Sequence, residues 1–186
     1  MDDINLKHKW IIYDLIKKKN YIDGLSVLGT CSTVFEYWTC MKYVVKPSKI
    51  FFHKTAINNG KNSAEIKPYY KENNEIREIS SILFFKEGIQ PIWEDFNNKS
   101  IIEIRRIHND NILQYLDEVF DMLSQYCVTD LLEYVNGFRI VDSSHEGKAM
   151  YRIELWSSEK DPSCIELFKK IVSTNDIIIK KNQLIK

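Results

Sequence analysis

"MYRIELW", residues 150–156, runs straight into "SSEKDPSCIELFKKIV", residues 157–172, and together they decide how the chain is layered. In an extended chain Tyr151, Ile153 and Leu155 fall on one side, and Met150, Arg152, Glu154 and Trp156 on the other. Asp161 then stands directly before Pro162, the pattern of an N-cap with proline at the first helical position. Ile165, Phe168, Ile171 and Val172 follow at helical spacing and make one apolar stripe. A strand with one wholly apolar face beside a helix with one apolar stripe predicts a helix packed on a sheet. The other strand face carries a cation, a carboxylate and a tryptophan.

Working outward, the same grammar repeats. Residues 9–16 read as a mostly buried strand, and residues 25–28 as a short strand after Asp23-Gly24. "STVFEYWTCMKYVV", residues 32–45, reads as a helix, with Thr33 and Glu36 spaced for a capping box and Pro47 expected to stop it. Strands are predicted at 82–86 and 100–107. In the second of these Glu103 and Arg105 share one face, and Ile102 and Ile104 the opposite one. Asp110 is expected to cap a helix with apolar residues at 112, 116, 119, 120 and 123. Strands at 138–141 and 177–179 complete the set. The order is two strands, helix, two strands, helix, two strands, helix, strand. It predicts an α+β fold, an antiparallel or mixed sheet with the helices on one face. Residues 51–79 stand apart: rich in Asn, Lys and Glu, with the turn signal "INNGKN", they read as an inserted polar hairpin or a mobile loop in a single domain spanning 1–186.

Composition narrows the function. The chain has 186 residues, 44% hydrophobic and 28% charged, enough for one sizeable core. Its formal net charge of +0 argues against a broad nucleic-acid clamp such as DNA binding requires, but leaves room for a small anionic ligand. No apolar run reaches the ~18–20 residues of a membrane span, and the charged start is not that of a secretory signal. Cys31, Cys40, Cys127 and Cys164 form no metal-ligand spacing, and read as reduced thiols of the cytosol or nucleus. Neither cofactor nor metal is expected. Glu94-Asp95 has no histidine near it in sequence, so no enzyme constellation forms.

One segment stands out from the strand-and-helix grammar: "GIQPIWEDFNNKS", residues 88–100. A tryptophan followed by a carboxylate on a loop suits a flat cationic ring with adjacent N–H donors. The aromatic face attracts the cation by roughly 0.5–2 kcal/mol, and the carboxylate accepts two parallel hydrogen bonds. A 7-methylated guanine has this form.

At this point the chain resembles a known family. "GIQPIWED" is similar to the hallmark segment of the eukaryotic translation initiation factor 4E family, the messenger-RNA cap-binding proteins. "KWIIYDL", "STVFEYW", "YRIELW" and "DPSCIELFKKIV" resemble other family segments in the same order. The resemblance covers most of residues 6–180. It implies a curved, mostly antiparallel sheet, three helices on its convex face and a cap pocket on its concave side. It implies a cytoplasmic, non-catalytic protein that binds the 7-methylguanosine cap of mRNA and recruits it to translation through a scaffold protein. Tyr21 would stack on one face of the base and Trp93 on the other, Glu94 would read the guanine, and Trp156 would touch the methyl group. Arg152, Arg105 and Lys148 would hold phosphates. Val34 and Trp38, with Leu116, Asp117 and Phe120, would receive the amphipathic helix of a scaffold or repressor.

Departures from the family pattern accompany these matches. Tyr21 stands where tryptophan is usual. Glu103 and Ser143 stand where phosphate-binding arginines are expected, with Arg139 and Lys148 as possible substitutes for the second. The family's C-terminal loop and last strand find no counterpart in the alignment. A repressive cap-binding homologue, or an interaction module that has lost the cap, are the alternatives these departures support.

Overall fold

A computed structural model describes residues 3–16, 18, 21–51, 53–58, 61–66, 70–72, 75–77, 79–92, 100–107, 111–144, 150–159, 161–174 and 176–181, with backbone alone over 53–77. Seven strands make the main sheet: β1 (Asn5–Ile16), β2 (Leu25–Thr33), β7 (Ile79–Lys86), β8 (Ser100–Ile107), β9 (Val135–Asp142), β10 (Met150–Ser157) and β11 (Ile178–Lys181). The spatial order is β11-β8-β10-β9-β7-β1-β2, and every neighbouring pair is antiparallel. The helices are α1 (Val34–Tyr43), α3 (Ile112–Val128) and α4 (Pro162–Ile171), with a single turn, α2 (Pro47–Ile50). The sheet is curved, and the three long helices cover its convex face.

The layering follows from the alternation in the strands. Tyr151, Ile153 and Leu155 of β10, Ile102 and Ile104 of β8, and Trp10 and Ile12 of β1 all enter one large core. From the helices that core takes Tyr37 and Met41 of α1, Leu116, Val119 and Phe120 of α3, and Phe168 of α4. Trp10 lies flat on Phe84, ring centroids 5.0 Å apart and planes within 6°. The opposite, concave face carries a second, smaller cluster of Leu15, Leu83, Phe85, Ile101 and Trp156.

The caps come out as the residue types require. The Thr33 hydroxyl accepts from the Glu36 amide at 3.2 Å. The Glu36 carboxylate reaches back one residue beyond the usual box, accepting from the Ser32 amide at 2.7 Å. Asp161 accepts from the Ser163 amide at 2.9 Å and opens α4. Pro47 does not terminate α1, which ends four residues earlier at Tyr43. Instead it sits at the first position of α2, where its missing N–H costs nothing. Asp110, expected to cap α3, lies outside the described residues, and Asn111 precedes the helix without a side-chain cap bond.

Two expectations about strand extent change. β1 and β2 are longer than their apolar runs, because β2 pairs with β1 as far as Thr33. Within the polar segment read as a hairpin or a loop, the described residues form two antiparallel pairs: β3 (His53–Asn58) with β4 (Lys61–Ile66), and β5 (Tyr70–Glu72) with β6 (Glu75–Arg77). Asn58 pairs with Lys61, and the turn residues Asn59 and Gly60 of the asparagine-glycine signal lie outside the described residues. At the far end of the main sheet, β2 bonds to β1 on one side and to no described strand on the other. Val27 and Leu28 of that strand are exposed.

Candidate functional site

The concave face is built from one row of paired residues. Tyr13 faces Leu83, Leu83 faces Arg139, Arg139 faces Glu154, and Glu154 faces Glu103. Arginine and glutamate thus meet across the sheet, and burial makes the pairing obligatory. Arg139 binds both oxygens of Glu154 through Nε and Nη2, the latter at 3.2 Å. The Arg139 Nη1 donates to the Tyr21 hydroxyl at 3.1 Å. Arg152 makes an ion pair with Glu154 from the other side. Burial alone would raise the Glu154 carboxyl. Arg139, Arg152 and the Trp156 indole together outweigh burial and hold it below the ordinary glutamate range.

Trp156 is a floor of this face rather than an open surface. It is 1% exposed. Its ring meets Phe85 edge-on at 5.6 Å, and the Arg139 guanidinium lies over it at 5.0 Å. Its indole N–H donates to Glu154 at 2.8 Å. Gly137 makes the Phe85–Trp156 contact possible: it stands between them in the register, and a Cβ there would lie 2.4 Å from the Phe84 carbonyl and 2.5 Å from the Phe85 ring.

Tyr21, in the turn before a short 3-10 segment at Ile22–Gly24, packs half-buried on the same cluster. Its hydroxyl pKa is raised, chiefly by burial, with Arg139 pulling the other way. Ile89, which follows the left-handed turn at Gly88, packs there too. Trp93 and Glu94, four and five residues further along, lie outside the described residues, as does Lys148.

The remaining predicted phosphate cations gather around a carboxylate. Glu103 is 0% exposed. Arg105 Nη2 lies 3.2 Å from it, Lys180 Nζ 2.7 Å and Arg152 Nε 3.9 Å. Lys180 was missed in the sequence. Its only signal was β11 itself, whose Ile178 pairs with Glu103 and so places Lys180 diagonally across from it. Arg139, offered as a phosphate substitute, is committed to Glu154, Tyr21 and Trp156.

The convex face has a groove of about 470 Å³. Val34 and Trp38 line it, with Ile4, Leu6 and Val128. The backbone builds it: the Val34 amide donates to the Ile4 carbonyl at 2.8 Å, and the Phe35 amide to the Asp3 carboxylate at 3.1 Å. Trp38 remains 56% exposed. The other three predicted residues do not join it. Leu116 and Phe120 are 0% exposed and belong to the core beneath α3. Asp117 accepts from the Ser48 amide at 2.8 Å and caps α2. On α3 the groove instead takes Gln125 and Val128, then Thr129 and Asp130 just past the helix end. Asp130 adopts a left-handed conformation there and pairs with Lys7 at 2.6 Å.

Similar folds are known. The chain superimposes on Caenorhabditis elegans eIF4E-3 in complex with the 4E-binding protein Mextli, TM-score 0.69, 16% identity, covering 97% of this chain and 94% of that one. It matches Ascaris suum eIF4E-3 in complex with an m2,2,7G cap, TM-score 0.66, 16% identity, over 100% and 94%. It also matches a schistosome eIF4E complexed with m7GpppA and 4E-BP, TM-score 0.64, 17% identity, over 98% and 90%. No curated protein matches by sequence. The sequence profile described as Eukaryotic initiation factor 4E matches residues 5–185, from the first residue of β1 to beyond β11 and so across both faces. With the ordered motifs, the seven-stranded sheet and its helix-covered convex side all in agreement, the chain belongs to the eukaryotic initiation factor 4E family.

Proposed function

We propose that the concave face binds the 7-methylguanosine cap of mRNA and that the convex groove binds an amphipathic helix of a scaffold or repressor protein. The chain would thereby bring capped messages to initiation in the cytoplasm, as a binding protein and not an enzyme. The observation that carries the cap reading is a shared cluster: Tyr21 and Ile89 both pack against the concave cluster that contains Trp156. Trp93, the other proposed stacking aromatic, follows Ile89 by four residues in the sequence. A base stacked between Tyr21 and Trp93 gains a further attraction when it is cationic, which is the property methylation confers.

Tryptophan fluorescence titrated with 7-methylated and unmethylated guanosine triphosphate tests this directly. The methylated nucleotide is expected to quench at far lower concentration. Equal affinity for the two sinks the reading. Glu94→Ala is expected to cost about 1.5–3 kcal/mol of cap binding, the range for a charge-assisted hydrogen bond.

A repressive, weakly cap-binding member is the second reading. One observation favours it. Trp156 has its ring under Arg139 and its N–H on Glu154, so it has less to offer a methyl group than an open indole. Tyr21→Trp is expected to tighten cap binding, because indole is the stronger cation receptor. A large loss would remove Tyr21 from the stack.

A further inference from the structure

We propose that Glu103 is a built-in counter-anion that takes the place of a ligand phosphate, so that the concave site binds methylguanine nucleotides with little preference for triphosphate over monophosphate. The proposal rests on the cap reading above.

The geometry is that of an anion site already filled. Cations from three strands, Arg105 of β8, Arg152 of β10 and Lys180 of β11, converge on one carboxylate at 3.2, 3.9 and 2.7 Å. Two cations in close contact with one anion, and a third within ion-pair reach that also holds Glu154, make an arrangement suited to a phosphate group. Here the point is occupied by a side chain with 0% exposure, fixed midway along β8 between β10 and β11. A ligand phosphate arriving from solvent has to compete with an anion that is held in contact by the fold and needs no ordering.

The charge count points the same way. Among the described residues, Arg105, Arg139, Arg152 and Lys180 face two carboxylates, Glu103 and Glu154, which leaves two net positive charges. Of these four, only Arg105 and Lys180 present much side chain to solvent, 47% and 44%. Both are already paired with Glu103. The first phosphate can meet the residual positive field, and the second and third find little left to meet.

Glu103→Gln keeps the shape and removes the anion. The measurement is fluorescence titration of the unaltered chain and of Glu103→Gln with 7-methyl-GMP and 7-methyl-GTP. In the unaltered chain the triphosphate is expected to bind less than about tenfold tighter than the monophosphate, the equivalent of one good ion pair. In Glu103→Gln the triphosphate is expected to tighten by about tenfold or more while the monophosphate moves by less than about threefold. A purely structural Glu103 would shift both nucleotides together, and that result overturns the proposal. So does a triphosphate preference above tenfold in the unaltered chain, a reading that needs no variant if Glu103→Gln fails to fold. If neither nucleotide binds, the cap reading fails, and inorganic triphosphate in thermal melts decides the proposal alone. Stabilisation of Glu103→Gln but not of the unaltered chain supports it. Stabilisation of the unaltered chain, or of neither protein, overturns it.

Discussion

Glu154 is the residue on which the concave face turns. It holds Arg139, Arg152 and the Trp156 indole at once, and Arg139 in turn holds Tyr21. Glu154→Gln leaves a buried guanidinium without its anion, and the expected loss is about 3–5 kcal/mol of unfolding free energy at neutral pH, read by urea denaturation. Because the folded-state pKa of Glu154 lies below its ordinary value of 4.5, its stabilisation is complete above that value. It is lost as the pH falls below 4.5 and through the folded-state value. Repeating the denaturation at falling pH should show that loss in the unaltered chain and a shallower one in Glu154→Gln. Gly137→Ala is a sharper steric case. Its new methyl would stand 2.4 Å from a main-chain oxygen that cannot step aside, so a loss of about 3 kcal/mol or more is expected in the same assay. The alternation in "MYRIELW" was enough to put Arg152, Glu154 and Trp156 on one face. It was not enough to say that Glu154 faces Arg139, because that depends on β9 lying beside β10, a choice made by the whole sheet.

Among the elements, α3 teaches the clearest lesson. Its apolar residues at 112, 116, 119, 120 and 123 are all buried, as their spacing predicted. Leu116 and Phe120 cannot then also face a partner, because one stripe of a helix points one way. The groove therefore lies further round and further along, at Gln125 and Val128, where the sequence offered only a polar residue and a lone valine. On α1, Val34 and Trp38 are one turn apart and both reach the groove. These placements predict opposite mutant behaviour on two neighbouring helices. Leu116→Ala should destabilise the fold by about 2–5 kcal/mol through a core cavity. Trp38→Ala should change thermal stability little, yet cost at least about 2 kcal/mol in the binding of an amphipathic helical peptide, measured by calorimetry. A Trp38→Ala protein that melts early would make that residue core and void the groove as a partner site.

Over the whole molecule, one sheet keeps two surfaces apart. Leu155 and Trp156 are adjacent in the chain, yet the first lies in the helix-side core and the second in the concave cluster. Methylguanine nucleotide affinity in Trp38→Ala should therefore match that of the unaltered chain, and a shared loss would mean that the faces communicate. This architecture was legible in advance because strand alternation and helix stripes both report the same buried layer. The pair of hairpins at 53–77 was only half legible, since a turn signal fixes a bend but not whether the flanking polar runs pair. The outer side of β2 has a different consequence, for handling rather than recognition. "LSVLGTCST", residues 25–33, contains no charged residue and no proline, whereas the opposite outermost strand, β11, carries Lys180 and Lys181. Lysine on an outer strand discourages another chain from adding to the sheet, and β2 lacks that protection. Concentrated solutions should grow particles through this strand, visible by light scattering, and Val27→Lys should keep them clear.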